Sequence, residues 1–243
     1  MPGKIGTPEE WRAARLALLA KEKELTRTAD AIKAERRALP MVPVTKAYAF
    51  QTTDGPTTLQ DLFGTKSQLI VYHFMFGPEA EEGCHGCASL VANFPDLRHL
   101  ADKDTALVVV SRAPVEKLTA FKEKNNWTFP WVSSHGSDFN YDFHATLDEK
   151  VAPVEYNFRT AEELVAAGQK MNVKGEQPGL SVFKRDGGKV YHTYSAYARG
   201  LEELLTSFSY LDLTPAGRQD GPSGPAEFKT PAEYDEESQS SQM

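Results

Sequence analysis

Three observations predict an α/β fold with a mixed central sheet flanked by helices. Apolar runs at 69–76 and 106–110 lack the alternation of a half-exposed strand and read as strands buried on both faces. Helical patterns separate the strands, which implies βαβ units and a largely parallel sheet. The only two cysteines, Cys84 and Cys87, fall where the first of those strands gives way to a helix.

The composition narrows the function. Charged residues make up 25% and hydrophobic ones 40% of the 243 residues, as in ordinary soluble globular proteins. A formal net charge of -7 argues against nucleic acid or an anionic membrane as partner. No apolar run reaches the roughly 18 residues of a membrane span. The first 25 residues carry charges throughout and no small-residue cleavage site, so they do not read as a signal peptide. The expectation is a cytoplasmic protein, where a close dithiol is catalytic or sensing rather than a structural staple.

Taken in order, Thr7-Pro8-Glu9-Glu10 predicts a helix start. Thr7 caps, Pro8 suits the first helical position, and Glu10 completes a capping box. The helix runs to about Leu39, with Trp11, Leu18, Leu25, Ile32 and Leu39 recurring every seven residues. A second row of Ala14, Lys21 and Thr28 is too poor for a full coiled-coil seam. So narrow a stripe belongs either to an arm lying across its own domain or to a helix packed on a second copy in a homodimer. Pro40 and Pro43 end it, and 1–44 is assigned as an N-terminal helical arm.

The main domain is expected over 45–214. It opens with a hairpin turning at Asp54-Gly55 and a short helical turn, followed by the first buried strand. The cysteine helix has Leu90, Val91, Phe94 and Leu97 in its pattern and breaks at Pro95. A helix over 114–124 buries Val115, Leu118 and Phe121, and 129–133 reads as a third short strand. Residues 134–176 are polar and aromatic without a clear period and read as an insertion; Thr160 and Glu163 form a second capping box there. Beyond Gln177-Pro178-Gly179, two strands flank a tight turn at Asp186-Gly187-Gly188. Leu201, Leu204, Leu205 and Phe208 then mark a closing helix. From 219 to 243 the composition turns to Pro, Gly, Ser and acidic residues, which predicts a disordered acidic tail.

Cys84-His85-Gly86-Cys87 at a strand-to-helix junction reads as a redox-active pair. A helix N-terminus offers unpaired N–H groups and partial positive charge to a thiolate, so Cys84 is assigned the attacking role. Cys87, one turn further in, resolves the mixed disulfide. Glu79, Glu81 and Glu82 crowd the approach and would oppose a thiolate, while protonated His85 would favour it. Two alternatives compete: a zinc or copper site completed by histidines, and a pair of inert buried thiols. The ends of the parallel strands also bring Arg112 and His135 to the same rim, Arg112 to lower the thiol pKa and His135 to move a proton.

With these motifs in place, the chain over about 45–210 resembles the thioredoxin superfamily. That resemblance implies a cis-proline opposite the dithiol, at Pro178, with Gln177 offering backbone groups to an extended thiol substrate. The strings MFGPEAEEGCHGC, VSRAP, FPWVSSHGSDFNYDF, PGLSVF, RDGG, VYHTYSAYARG and LDLTP are similar to a bacterial thioredoxin-like family catalogued as a domain of unknown function. Its members are described as predicted dithiol-disulfide oxidoreductases. The extra hairpin also resembles the peroxiredoxin branch, whose Pro-x-x-x-Thr-x-x-Cys motif is absent: Gly77 and Glu81 stand at the Pro and Thr positions. The resemblance implies disulfide exchange with a thiol or disulfide substrate, and no cofactor beyond the cysteine pair. A metal-binding module and a non-catalytic dimeric scaffold are the alternatives.

Overall fold

The computed structural model describes residues 3–240. After α1 (Pro8–Arg37) come β1 (Val42–Pro43), β2 (Ala49–Thr52) and β3 (Gly55–Thr58). β4 (Gln68–His73) leads to α2 (His85–Ala92) and α3 (Leu97–Asp102), and β5 (Thr105–Ser111) to α4 (Val115–Lys124) and β6 (Trp131–Ser133). The stretch 134–176 holds α5 (Phe139–Asp142), β7 (Thr146–Leu147), β8 (Glu155–Tyr156), β9 (Arg159–Thr160), α6 (Ala161–Ala166) and β10 (Gly175–Glu176). β11 (Gly179–Asp186), β12 (Lys189–Tyr197), α7 (Thr206–Asp212) and α8 (Pro231–Ser240) complete the chain.

The main sheet has the order β1-β12-β11-β4-β5-β6-β2-β3. β4, β5 and β6 are parallel, and β11 pairs antiparallel with both β4 and β12. The β11–β12 turn has Gly187 and Gly188 at φ 55° and 77°, the double positive φ that a two-residue hairpin turn requires. Because neighbouring side chains on a strand point to opposite faces, Tyr72 and His73 enter different cores. On one face Tyr72, Phe74, Leu90, Phe121 and Trp131 are buried together; on the other lie Phe50, Val71, Phe139 and Phe183. Each fully buried large side chain contributes roughly 1.5–3 kcal/mol, so these two layers hold the sheet. A parallel β4-β5-β6 core, a cysteine helix after β4 and an antiparallel hairpin after Pro178 make this a thioredoxin-like fold with a long N-terminal helix.

Several expectations change. The region 134–176, expected to be too thin in apolar residues to form a core, contributes to two. Phe139 and Phe143 join the domain core, and Leu147, Tyr156 and Leu164 cluster with Tyr197. The closing helix begins as a three-ten turn over Ala198–Leu204 before α7. The segment expected to be a disordered tail is folded back onto the domain from 219 to 240, with Thr230 and Ala232 buried. Two contacts explain why so polar a stretch is held. Phe228 packs on Phe208 at 5.7 Å between ring centroids, and Thr230 with Glu233 forms a capping box for α8. Residues 241–243 lie outside the described residues.

The arm behaves differently from the rest. Its capping box forms as the sequence predicts, yet none of its residues is buried. Trp11, Leu18, Leu25, Ile32 and Leu39 are all exposed, so the seven-residue row does not lie across its own domain. Removing residues 1–40 is therefore expected to shift the domain's urea unfolding by less than about 1 kcal/mol, since an exposed helix gives up little buried surface. Sedimentation of the full and shortened chains reads the homodimer expectation separately: a dimer carried by this row becomes a monomer on truncation.

On the sheet's second face, His73 is enclosed by Phe139 and Phe143. Its Nε2 lies 2.9 Å from Ser181 Oγ, which continues through Ser195 Oγ (3.0 Å) to His192 Nε2 (2.8 Å). Burial pushes the His73 pKa down to about 3 from an ordinary value near 6.5. The unfolded chain therefore binds a proton there below pH 6.5 that the folded chain refuses until about pH 3. Stability present above 6.5 is lost as pH falls through that window, by up to about 1.4 kcal/mol per pH unit from this group. His73→Gln, which cannot titrate, is expected to flatten the acid limb of stability against pH; an unchanged slope in urea melts from pH 6.5 to 4 would contradict it.

Candidate active site

The chain leaves β4 through Phe74, Met75 and Phe76 and turns back so that Cys84 N–H donates to the Met75 carbonyl at 3.1 Å. Gly83 permits that return. A Cβ there would stand 2.7 Å from the Phe74 ring and 2.8 Å from the Phe121 ring, both buried, so no larger residue fits without moving the core. Lys117 of α4 braces the same loop, donating to the carbonyls of Pro78 and Ala80 at 3.1 and 2.9 Å. Cys84 thereby becomes the N-cap residue of α2, and Cys87 lies inside its first turn.

The two thiols are free and unequal: Cys84 is half-buried and Cys87 buried. The Cys87 thiol beside it, together with the backbone N–H groups of Cys87 and Gly86 and the charge of His85, lowers the Cys84 pKa to about 6 against the cost of burial. Burial and the neighbouring Cys84 push the Cys87 thiol well above its ordinary value. Met75 N–H points at Cys87 Sγ at 3.4 Å, and Tyr72 works against the rise. Tyr72 was not among the candidate residues; its place in an apolar strand hides it in the sequence.

Two carboxylates of the acidic approach stand beside lysines: Glu82 pairs with Lys124 at 3.1 Å, and exposed Glu81 lies 3.9 Å from Lys117. An exposed charge pair in water is worth about 1 kcal/mol at 4 Å.

Of the other candidates, His85 sits in the first turn of α2, 3.7 Å from Glu233 of α8. Arg112 is instead spent on Glu176 at 2.9 Å and stacks over Tyr141. Burial raises the Glu176 pKa despite that pairing. His135 bonds the Arg112 carbonyl at 3.3 Å. Pro178 does border the cysteines, but no cis peptide occurs among the described residues, so the Gln177–Pro178 bond is trans. Gln177 does not offer its N–H either: it donates to the Ala145 carbonyl at 2.9 Å, and its side chain is bonded to Met171, Asn172 and Lys174. The Pro178 carbonyl accepts from the Tyr156 hydroxyl at 2.8 Å.

Sequence reasoning also missed the C-terminal segment. Ser223, Pro225 and Ala226 form a wall of a cavity of about 330 Å³ that opens onto Cys84 and Cys87. A Cβ on Gly86 would stand 3.6 Å from the Ala226 nitrogen, so the segment lies directly on the cysteine turn. The signal was present: Thr230-Pro231-Ala232-Glu233 repeats the capping pattern of Thr7-Pro8-Glu9-Glu10. Among the described residues no group of three or more His, Cys, Asp and Glu is placed to hold a metal ion, so the metal-binding alternative lacks a ligand set. Nor is any described helix long and apolar enough to cross a membrane.

Comparison with solved structures returns peroxiredoxin Q of Xanthomonas campestris at 16% identity, covering 69% of this chain and 98% of that one, with a TM-score of 0.41. PrxQ of Xylella fastidiosa follows at 14%, 67%, 88% and 0.40, and the peroxidoxin BcpB of Mycobacterium tuberculosis at 15%, 71%, 96% and 0.40. Comparison with curated proteins gave no match. The family model described as bacterial protein of unknown function (DUF899) matches residues 2–235, and the chain belongs to that family.

Proposed function

We propose that this protein is a thiol–disulfide oxidoreductase acting through Cys84 and Cys87. The observation that carries the reading is the inequality of the two thiols: one at a helix N-cap with its pKa lowered to about 6, the other buried behind it with its pKa raised. The resemblance of the sequence motifs to predicted dithiol-disulfide oxidoreductases points the same way.

The chemistry runs in two displacements. The Cys84 thiolate attacks one sulfur of a substrate disulfide, forming a Cys84–substrate bond while the other sulfur leaves as a thiolate and takes a proton from solvent. The Cys87 thiol then attacks Cys84 Sγ as it loses its proton, closing the Cys84–Cys87 disulfide and releasing the second substrate sulfur as a thiolate that takes up that proton. The substrate gains two electrons, the protein loses two, and an external dithiol returns them by the reverse steps. Cys87 is unreactive towards solvent because burial disfavours its anion, so its attack waits for a mixed disulfide beside it.

Cys87→Ser is expected to stop after the first displacement, leaving one equivalent of substrate bound to Cys84 that mass spectrometry detects and dithiothreitol releases. Cys84→Ser is expected to lose exchange by at least about a hundredfold, since the remaining thiol is almost wholly protonated near neutral pH. Exchange by Cys84→Ser at the wild-type rate would refute the assignment.

A further inference from the structure

We propose that the site takes a small, uncharged disulfide with apolar substituents, and that the C-terminal segment is the wall that selects it; this rests on the thiol–disulfide reading above. The cavity of about 330 Å³ over the cysteines is lined chiefly by Met75, Leu90, Leu201, Leu205, Pro225 and Ala226. That volume is at the lower end of small-molecule sites, which begin near roughly 300 Å³. The charged groups at its edge are already neutralised. Arg199 pairs with Glu202 at 2.8 Å, and Glu202 also takes Arg218 at 3.3 Å. Among the described residues, the interior of the cavity holds no unpaired charge for a charged ligand, which would give up its hydration in apolar surroundings.

The edge where an extended peptide would add itself offers no free N–H at Gln177 or Pro178. Strand addition needs free backbone donors and acceptors on the receiving edge. Gln177 N–H is taken by Ala145, Pro178 has none, and the Pro178 carbonyl is taken by Tyr156. In the returning chain, Arg218 pairs with Asp212 at 2.8 Å and lies over the Phe208 ring. The Glu227 carboxylate accepts from the N–H groups of Gly221 and Ser223 at 2.6 and 3.2 Å, which fixes the turn that presents Pro225 and Ala226 to the cavity. Farther on, Ala232 N–H reaches Asn125 Oδ1 at 3.4 Å. The wall is thus tied down on both sides of the residues that face the cysteines.

The test uses the reduced full-length chain in single-turnover mixing with three disulfides: dithiodipyridine, oxidised glutathione and insulin. Each rate is divided by that of free dithiothreitol with the same disulfide, which removes intrinsic reactivity. The normalised rate for dithiodipyridine is expected to exceed the other two by about tenfold or more, the discrimination an apolar pocket supplies. Ala226→Trp and Ser223→Phe, which intrude on the cavity from two points of the wall, are each read as the ratio of the dithiodipyridine rate to Cys84 alkylation by iodoacetamide. That ratio is expected to fall about tenfold in at least one variant. A normalised preference for glutathione or insulin, or an unchanged ratio in both variants, would overturn the substrate class while leaving the oxidoreductase reading intact. If none of the three disulfides reacts although Cys84 alkylates, the oxidoreductase reading itself fails.

Discussion

The site depends on the buried Cys87 thiol standing beside Cys84. That neighbour lowers the pKa of the outer sulfur, while burial raises that of the inner one. Everything around it preserves that division. Gly83 lets the chain turn tightly enough to put Cys84 at the cap, and Met75 N–H holds Cys87 from behind. The aromatic layer of Phe74, Phe121 and Trp131 keeps water from the inner sulfur. Burial raises a thiol's pKa, and at Cys87 it outweighs even the Met75 N–H aimed at the sulfur.

The second constraint is the return of the C-terminal segment across the cysteine turn. A thioredoxin-like domain with a bare rim presents its dithiol to whatever can reach it. Here Pro225 and Ala226 convert that rim into one side of a cavity, while α8 sets Glu233 beside His85. That contact places a carboxylate near the residue whose positive charge favours the Cys84 thiolate, so the segment bears on electrostatics as well as on shape.

Local features of the fold were legible in the sequence, and long-range ones less so. The capping boxes at Thr7 and Thr160, the Gly187-Gly188 turn and the break at Pro95 depend on neighbours a few residues apart, and each forms where the pattern places it. The cysteine junction was visible for the same reason. What the sequence hid lies in pairings across the fold. Arg112 was assigned to the thiol, but Glu176 on β10 claims it, and Lys124 claims Glu82. Composition misled at the C-terminus: Phe228, Thr230 and Ala232 are few, yet they hold the segment because a preformed surface receives them. The arm shows the reverse case, a regular apolar row that its own domain leaves exposed.

The central claim is that Cys87 holds Cys84 as an anion near neutral pH. Its most direct test is the titration of Cys84, followed by alkylation rate against pH with the modified residue identified by mass, in the wild type and in Cys87→Ala. The account predicts a midpoint near 6 in the wild type and a rise towards the ordinary cysteine value of about 8.5 in the variant. A wild-type midpoint at that ordinary value, or one that Cys87→Ala leaves unmoved, would contradict it.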